Sequence, residues 1–372
     1  MKNLPIRIYA LFGNDKFKIS LFFLLIFLSI FSISALQPEF GGDGLSYIQT
    51  IEVMKTGISP VGFIPNRIIT TFLGLESIRL IDLLVGDLLV SWLILNCLFY
   101  VVMGMFFYSL LLKIFDDSKT AFLGTLFLVT NYAVVALGLS YFMDIGGWAF
   151  YMASLYFSFK YLETKESKWL WISSILIGLG GLFKEYAFPA FIVILGLVVY
   201  LNWGQWRGIV KKIIFTGLIA FGPMIIINFY SFLIYDYTYL SWYSNQSVYD
   251  YQNRAVEYIK SFGSLYNFGW FLFIPGTYLL FKRSKEILKD QKLFFIWLVI
   301  LSSLVIFIWP VVTRVLFITM PAIVMVSSLF IKRINNWRYA LTPLLVLYIL
   351  ANYLMDAYIL NYVDIGKVFR FF

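Results

Sequence analysis

Residues 83–112 read LLVGDLLVSWLILNCLFYVVMGMFFYSLLL, an apolar run interrupted by one charge, Asp87. A helix rises about 1.5 Å per residue, and about 20 apolar residues cross a bilayer core. This stretch is long enough to span a membrane with tilt or overhang. Similar runs recur along the chain, at 19–36, 120–140, 146–162, 169–183, 187–202, 213–234, 265–281, 293–309, 314–331 and 339–360. The sequence therefore predicts an all-α polytopic membrane protein with about eleven transmembrane helices. None of the runs has the period-2 alternation of a membrane barrel strand.

Composition agrees. Hydrophobic residues make up 61% of the 372 and charged residues only 13%, against about 25% charged in soluble domains. The one cysteine, Cys97, lies within an apolar run, so the chain forms no internal disulfide and no cysteine metal cluster. There is no histidine, which removes the commonest general base and metal ligand. Acid–base chemistry is left to carboxylates, lysine, tyrosine or the substrate.

Charge sets the topology. Twenty Lys and Arg flank the spans on the side of Lys2, Arg7, Lys16 and Lys18, and nine lie on the other side. The positive-inside rule makes the richer side cytoplasmic, with the N-terminus there. The net charge of +9 thus faces anionic lipid and does not imply nucleic acid. Of the 20 acids, 13 lie outside or at outer helix ends, which points to the outer face as the functional one. The first span could pass for a signal peptide, with Ser32 and Ser34 as a weak cleavage pattern; its length favours a retained helix. The expected organisation is one transmembrane domain over 1–372, with no separate soluble domain and no fixed-period repeat. Its outer segments are 37–82 and the aromatic loop 235–264.

Within the first outer segment, Tyr47, Ile51, Met54 and Ile58 form one stripe of a helix over 45–58. A second short helix follows Pro65. Ile68, Ile69, Phe72 and Leu73 form its apolar side, and Arg67 and Thr71 lie off that stripe. Both helices suit the membrane interface. Asp43 sits between glycines in EFGGDGLSY, residues 39–47; a carboxylate there is firmly held and reachable, although a turn cap explains it as simply. Asp144, in LGLSYFMDIGGWAF, shares the same outer depth, and helix termination alone accounts for it. Lys184 and Glu185 break an apolar stretch in GLFKEYAFP, a candidate re-entrant feature. Adjacent helical residues do not face each other, so each needs its own partner. Arg314 is the one charge in IFIWPVVTRVLFITMP, residues 306–321; it suits either headgroup contact or bidentate phosphate binding. Tyr235, Tyr237, Tyr239, Tyr243, Tyr249, Tyr251 and Tyr258, with Trp242, crowd the second outer loop. They fit an interfacial belt or a platform for sugar rings.

The order of these segments resembles the GT-C superfamily of membrane glycosyltransferases, which includes protein O-mannosyltransferases and the aminoarabinose transferases of lipid A. Four stretches carry the likeness: GGDGLSYIQTIEVMKTG (41–57), PNRIITTFLGL (65–75), GGLFKEYAFPAF (180–191) and TRVLFITMPAIVMVSSLF (313–330). The resemblance implies an inverting transferase that moves a sugar from a polyprenyl-phosphate donor to a hydroxyl or amine at the outer membrane face. The acceptor is then a lipid, glycan or protein, and the setting a plasma membrane. Asp43 becomes the candidate base and Asp144 the acid that orients the acceptor. Arg67, Lys184 and Arg314 become phosphate ligands, with Glu185, Glu39 and Tyr47 in support. Family members often carry paired acids in the first loop. Here Asp43 has only Glu39 four residues earlier, so no metal is assigned, a divalent cation is poorly supported and no cofactor is implied. The competing readings are a transporter or flippase, or a polymerase or ligase, of lipid-linked glycans.

Overall fold

The computed structural model describes residues 15–36, 42–60, 63–246, 254–308, 313–334 and 338–362, and within them every regular element is helical. The chain runs α1 (Asp15–Leu36), α2 (Gly42–Thr56), α3 (Asn66–Val85), α4 (Leu88–Phe115) and α5 (Ser118–Val129). A π-helix, Ala133–Gly138, precedes α6 (Asp144–Thr164), α7 (Ser167–Phe183), α8 (Ala190–Leu201) and α9 (Trp206–Tyr235). Then come α10 (Tyr239–Gln246), α11 (Arg254–Tyr266), α12 (Trp270–Lys282), α13 (Gln291–Ser303), α14 (Thr313–Leu316), α15 (Met320–Ile331) and α16 (Arg338–Tyr362). Stretches Leu88–Phe115, Trp206–Tyr235, Arg314–Ile331 and Leu341–Tyr358 are each long and apolar enough to cross a membrane.

Local chemistry sets the boundaries. The Asp87 carboxylate accepts from the Leu89 and Val90 amides at 2.8 and 3.0 Å and starts α4. Asp290 does the same for α13. Such caps satisfy amides that the helix cannot. Gly86, at φ 72°, ends α3 in the left-handed conformation that glycine adopts without strain.

The centre of the bundle is α5, α6 and α15, most of whose side chains are buried. Helices α6 and α7 pack along their length, α4 lies on α6, and α12 lies on α15. A Cβ on Gly276 would sit 2.3 Å from the Val326 carbonyl oxygen, so α12 touches the α15 backbone. Small residues at contacts are how helices pack closely in lipid. On the periphery, Leu84, Ile226, Phe229, Leu233 and Leu354 are exposed, as a lipid-facing surface requires.

The charged groups separate into two ends. Lys113 pairs with Glu163 at 2.7 Å, Lys292 with Asp116, and Arg283 with Asp290 at 2.7 Å. All belong to the set expected inside. Lys55 pairs with Asp82 at 2.9 Å, and Asp43, Arg67, Arg314 and Asp144 meet one another; all belong to the opposite set.

Several local expectations change. Asp43 lies in the first turn of α2, not in a loop, and α2 ends at Thr56, so Ile58 is exposed outside it. The second interfacial helix starts at Asn66 and is set off by a kink at Thr71 (φ −146°, ψ 24°), beyond which α3 continues to Val85. Arg67 and Thr71, off the apolar stripe, are buried all the same. The stripe locates greasy contacts only; off it, Arg67 is covered by Asp43, Ser46 and Tyr47 of α2. The third apolar run is broken. After α5, Asn131 turns the chain into the π-helix, and its side chain donates to the Leu265 carbonyl at 2.6 Å and to the Tyr348 hydroxyl at 3.0 Å. The Tyr132 amide, outside regular helical bonding, donates to Asn352 Oδ1 at 2.9 Å. π-Helical turns often mark functional sites, and this one delivers the chain to Asp144.

Candidate active site

Five segments meet at one end of the bundle. Helix α2 brings Asp43 and Tyr47, the first turn of α3 brings Arg67, and α6 opens with Asp144. The break after α7 brings Lys184 and Glu185, and α14 brings Arg314. Both aspartates occupy first turns, where the helix dipole favours negative charge.

Asp43 is clasped from both sides. Arg67 Nη2 donates to its Oδ1, and Arg314 Nη2 donates to its Oδ2 at 2.5 Å. Arg67 Nε also donates to Ser46 Oγ at 2.9 Å, and that hydroxyl donates to the Asp43 carbonyl at 2.8 Å. The Arg67 guanidinium stacks 4.6 Å above the Tyr47 ring. Burial favours the neutral form of Asp43, but Arg314, Arg67 and Lys184 outweigh it and hold its carboxyl well below the usual carboxylate range. The side chain remains 20% exposed, so the cluster is reachable.

Arg314 bridges the two acids. Its Nη1 lies 3.6 Å from Asp144 Oδ2, and its guanidinium stands 5.2 Å from the Phe142 ring. Asp144 is fully buried, and neither oxygen has a hydrogen-bond partner among the described residues. Its segment is anchored from α4: Asn96 Nδ2 donates to the Ser140 carbonyl at 2.6 Å and to that of Phe142 at 3.1 Å.

Lys184 has extended backbone (φ −168°, ψ 139°) between α7 and the 3-10 turn Glu185–Ala187. Its ammonium lies 5.7 Å from the Tyr186 ring and within the field of Glu185, Tyr47 and Asp144. Gly147 makes this approach possible, because a Cβ there would sit 2.7 Å from Lys184 Cβ and 3.2 Å from its carbonyl oxygen. Glu185 is buried beside Lys184, and its Oε2 has no hydrogen-bond partner among the described residues.

Thus Asp43, Asp144, Arg67, Lys184, Arg314, Glu185 and Tyr47 come together, although Asp43 and Arg314 are 271 positions apart. Glu39, Tyr249 and Tyr251 lie outside the described residues. Among the described residues no group of three or more Cys, Asp or Glu is placed to hold a metal ion. Sequence reasoning passed over Ser46, Tyr186 and Trp148. Tyr186 is buried against Asp144 and stacks on Trp148 with centroids 6.2 Å apart. Both aromatics stood inside motifs already singled out, KEYAFP and DIGGWAF, but tyrosine and tryptophan are too common in membrane helices to stand out.

The family model for dolichyl-phosphate-mannose-protein mannosyltransferases matches residues 73–232. The fold is similar to that of ArnT from Cupriavidus metallidurans bound to undecaprenyl phosphate. There the TM-score is 0.67 at 10% identity, over 95% of this chain and 78% of that one. The family match covers less than half of the chain, and the likeness to ArnT is one of fold. The chain is also similar in fold to the oligosaccharyltransferase of Archaeoglobus fulgidus in complex with Zn and sulfate. That likeness has a TM-score of 0.59 at 11% identity and spans 91% of this chain but only 53% of that one. No curated protein matches this sequence. The family match begins at Leu73 and ends before Arg314, so it covers Asp144 and the Lys184–Glu185 break but not the Asp43 clasp.

Proposed function

We propose that this protein is a glycosyltransferase that moves a sugar from a polyprenyl-phosphate donor to a hydroxyl or amine of a lipid, glycan or protein acceptor, with inversion, at the outer face of a plasma membrane. The acceptor oxygen or nitrogen attacks the anomeric carbon. The bond from that carbon to the phosphate oxygen breaks, and its electron pair leaves with the polyprenyl phosphate. Asp43 takes the acceptor proton, and Asp144 orients the acceptor. Arg67, Arg314 and Lys184 bind the phosphate, whose negative charge grows as the bond breaks. Fixed cations in a water-poor site stabilise such charge best. Glu185 holds Lys184 in place, and Tyr47 forms the floor under Arg67.

The observation that carries this reading is the clasp itself: one carboxylate bound by two arginines from distant segments, with a lysine in the same field. Guanidinium groups bind phosphate as readily as carboxylate. An arriving donor phosphate therefore competes with Asp43 for the arginines. As their hydrogen bonds pass to phosphate, the carboxylate becomes a stronger base. Donor binding and base activation are thus one event.

The test uses purified protein in liposomes with a panel of polyprenyl-phosphate sugars and mass spectrometry of the products. We expect free polyprenyl phosphate and a singly glycosylated acceptor. Asp43→Asn should lower the rate by about 10²–10⁴-fold, the usual weight of a general base, without loss of folding. Transfer at the normal rate in Asp43→Asn removes Asp43 from the mechanism. Lipid-linked glycan crossing the bilayer without any transfer replaces this reading with a flippase.

A further inference from the structure

The end of the bundle opposite Asp43 holds a second concentration of cations that sugar transfer does not use. Helix α4 alone, at about 1.5 Å per residue, separates the two ends by roughly 40 Å. A cavity of about 540 Å³ opens there between the last turns of α4, α12 and α15 and the start of α13. Arg283, Lys292, Lys332 and Arg333 line it, against two acids, Asp116 and Asp290. The acids are engaged by two of the cations: Lys292 with Asp116, and Arg283 with Asp290. Lys332 donates to the Phe115 carbonyl at 2.5 Å, which caps α4. Arg333 makes no ion pair among the described residues, and both Lys332 and Arg333 are solvent-exposed. Two positive charges are left over at the rim. Below them the wall is apolar, formed by Leu279, Leu293, Ile296 and Leu329.

A cationic rim above an apolar wall, at the ends of membrane-crossing helices, matches an amphiphile with a phosphate head and hydrocarbon tails. We propose that this cavity binds the phosphate of an anionic phospholipid. Lys332 and Arg333 are its principal ligands, and the acyl chains lie along Leu279, Leu293 and Leu329. Basic pockets between transmembrane helices have this use elsewhere. At the cavity, surface ion pairs tie the ends of α4 and α12 to the start of α13, each weak in water. A headgroup contacting Lys332, Arg333 and Lys292 ties α15 to α13 and so clamps the end of the bundle. A free phosphate ion has the same head chemistry but gains nothing from the apolar wall.

The experiment uses the full-length protein in neutral detergent. Phosphatidylglycerol, phosphatidylcholine and inorganic phosphate are the separate probes, read by native mass spectrometry and thermal unfolding. Phosphatidylglycerol should remain bound and raise Tm. Lys332→Gln with Arg333→Gln should weaken its binding by at least about tenfold, and Arg333→Gln alone by several-fold. Lys282→Gln with Lys285→Gln removes the same charge from the neighbouring loop and should leave binding unchanged. The proposal fails if that control loses as much binding as the pocket variant, because the effect is then diffuse surface charge. It fails equally if phosphatidylcholine matches phosphatidylglycerol, or if inorganic phosphate alone gives the full shift in Tm. Sugar transfer is not part of the readout, so the result stands apart from the catalytic reading.

Discussion

At the residue scale, the behaviour of Asp43 turns on its arginines. A carboxyl held below its unfolded value of about 3.9 adds stability that is complete above that pH and fades as pH falls through the folded value. Before substrate binds, Asp43 is therefore ionised throughout the range in which the protein can be assayed. kcat/KM reports groups on the enzyme before substrate binds, and kcat reports the complex. We expect kcat/KM to show no acid limb from Asp43 down to about pH 5. The kcat profile should gain one at higher pH, because the donor phosphate takes the arginines. A limb in kcat/KM centred near pH 6 that moves in Asp43→Glu contradicts this. Asp43 was legible in the sequence because it stands between glycines after a span. Its pairing was not, since Arg67 is 24 positions away and Arg314 is 271.

At the element scale, irregular backbone positions the chemistry. The break after α7 puts Lys184 against α6, and Gly147 supplies the space. Gly147→Ala forces its new Cβ into Lys184 and displaces that side chain from the cluster. Overpacking of this kind costs about 1–3 kcal/mol. Tm should fall by several degrees, and KM for the donor should rise. An unchanged KM alongside a lowered Tm would show that Lys184 does not touch the donor. The Lys-Glu interruption was visible as charge in an apolar run. The π-helix after α5 was not, because 120–140 reads as one uniform stretch in composition. It is held by Asn352 and Tyr348 from α16, partners that no local window contains. Similarly, the apolar stripe of α3 identified its greasy face but gave no sign that Arg67 and Thr71, on the other face, are buried.

At the scale of the whole molecule, the two charged ends follow from the arithmetic of Lys and Arg, and the contacts keep those ends apart. The sole cysteine allows a clean test of orientation. On a Cys97→Ser background, Ser59→Cys should react with a membrane-impermeant maleimide added outside intact cells. Lys285→Cys should react only after the membrane is opened. The reverse pattern inverts the topology and moves the Asp43 cluster to the cytoplasm.

The sequence by itself determined the helical membrane class, the approximate helix boundaries and the sorting of charge to two ends. Each of these is a sum over neighbouring residues: hydropathy per turn, a capping carboxylate, lysines per loop. Tertiary structure alone decided that Asp43 is gripped by Arg67 and Arg314, that Asp144 and Lys184 share their field, and that a cationic cavity forms at the far end. Those facts depend on how each helix is rotated and where distant backbones touch, and packing between segments sets both.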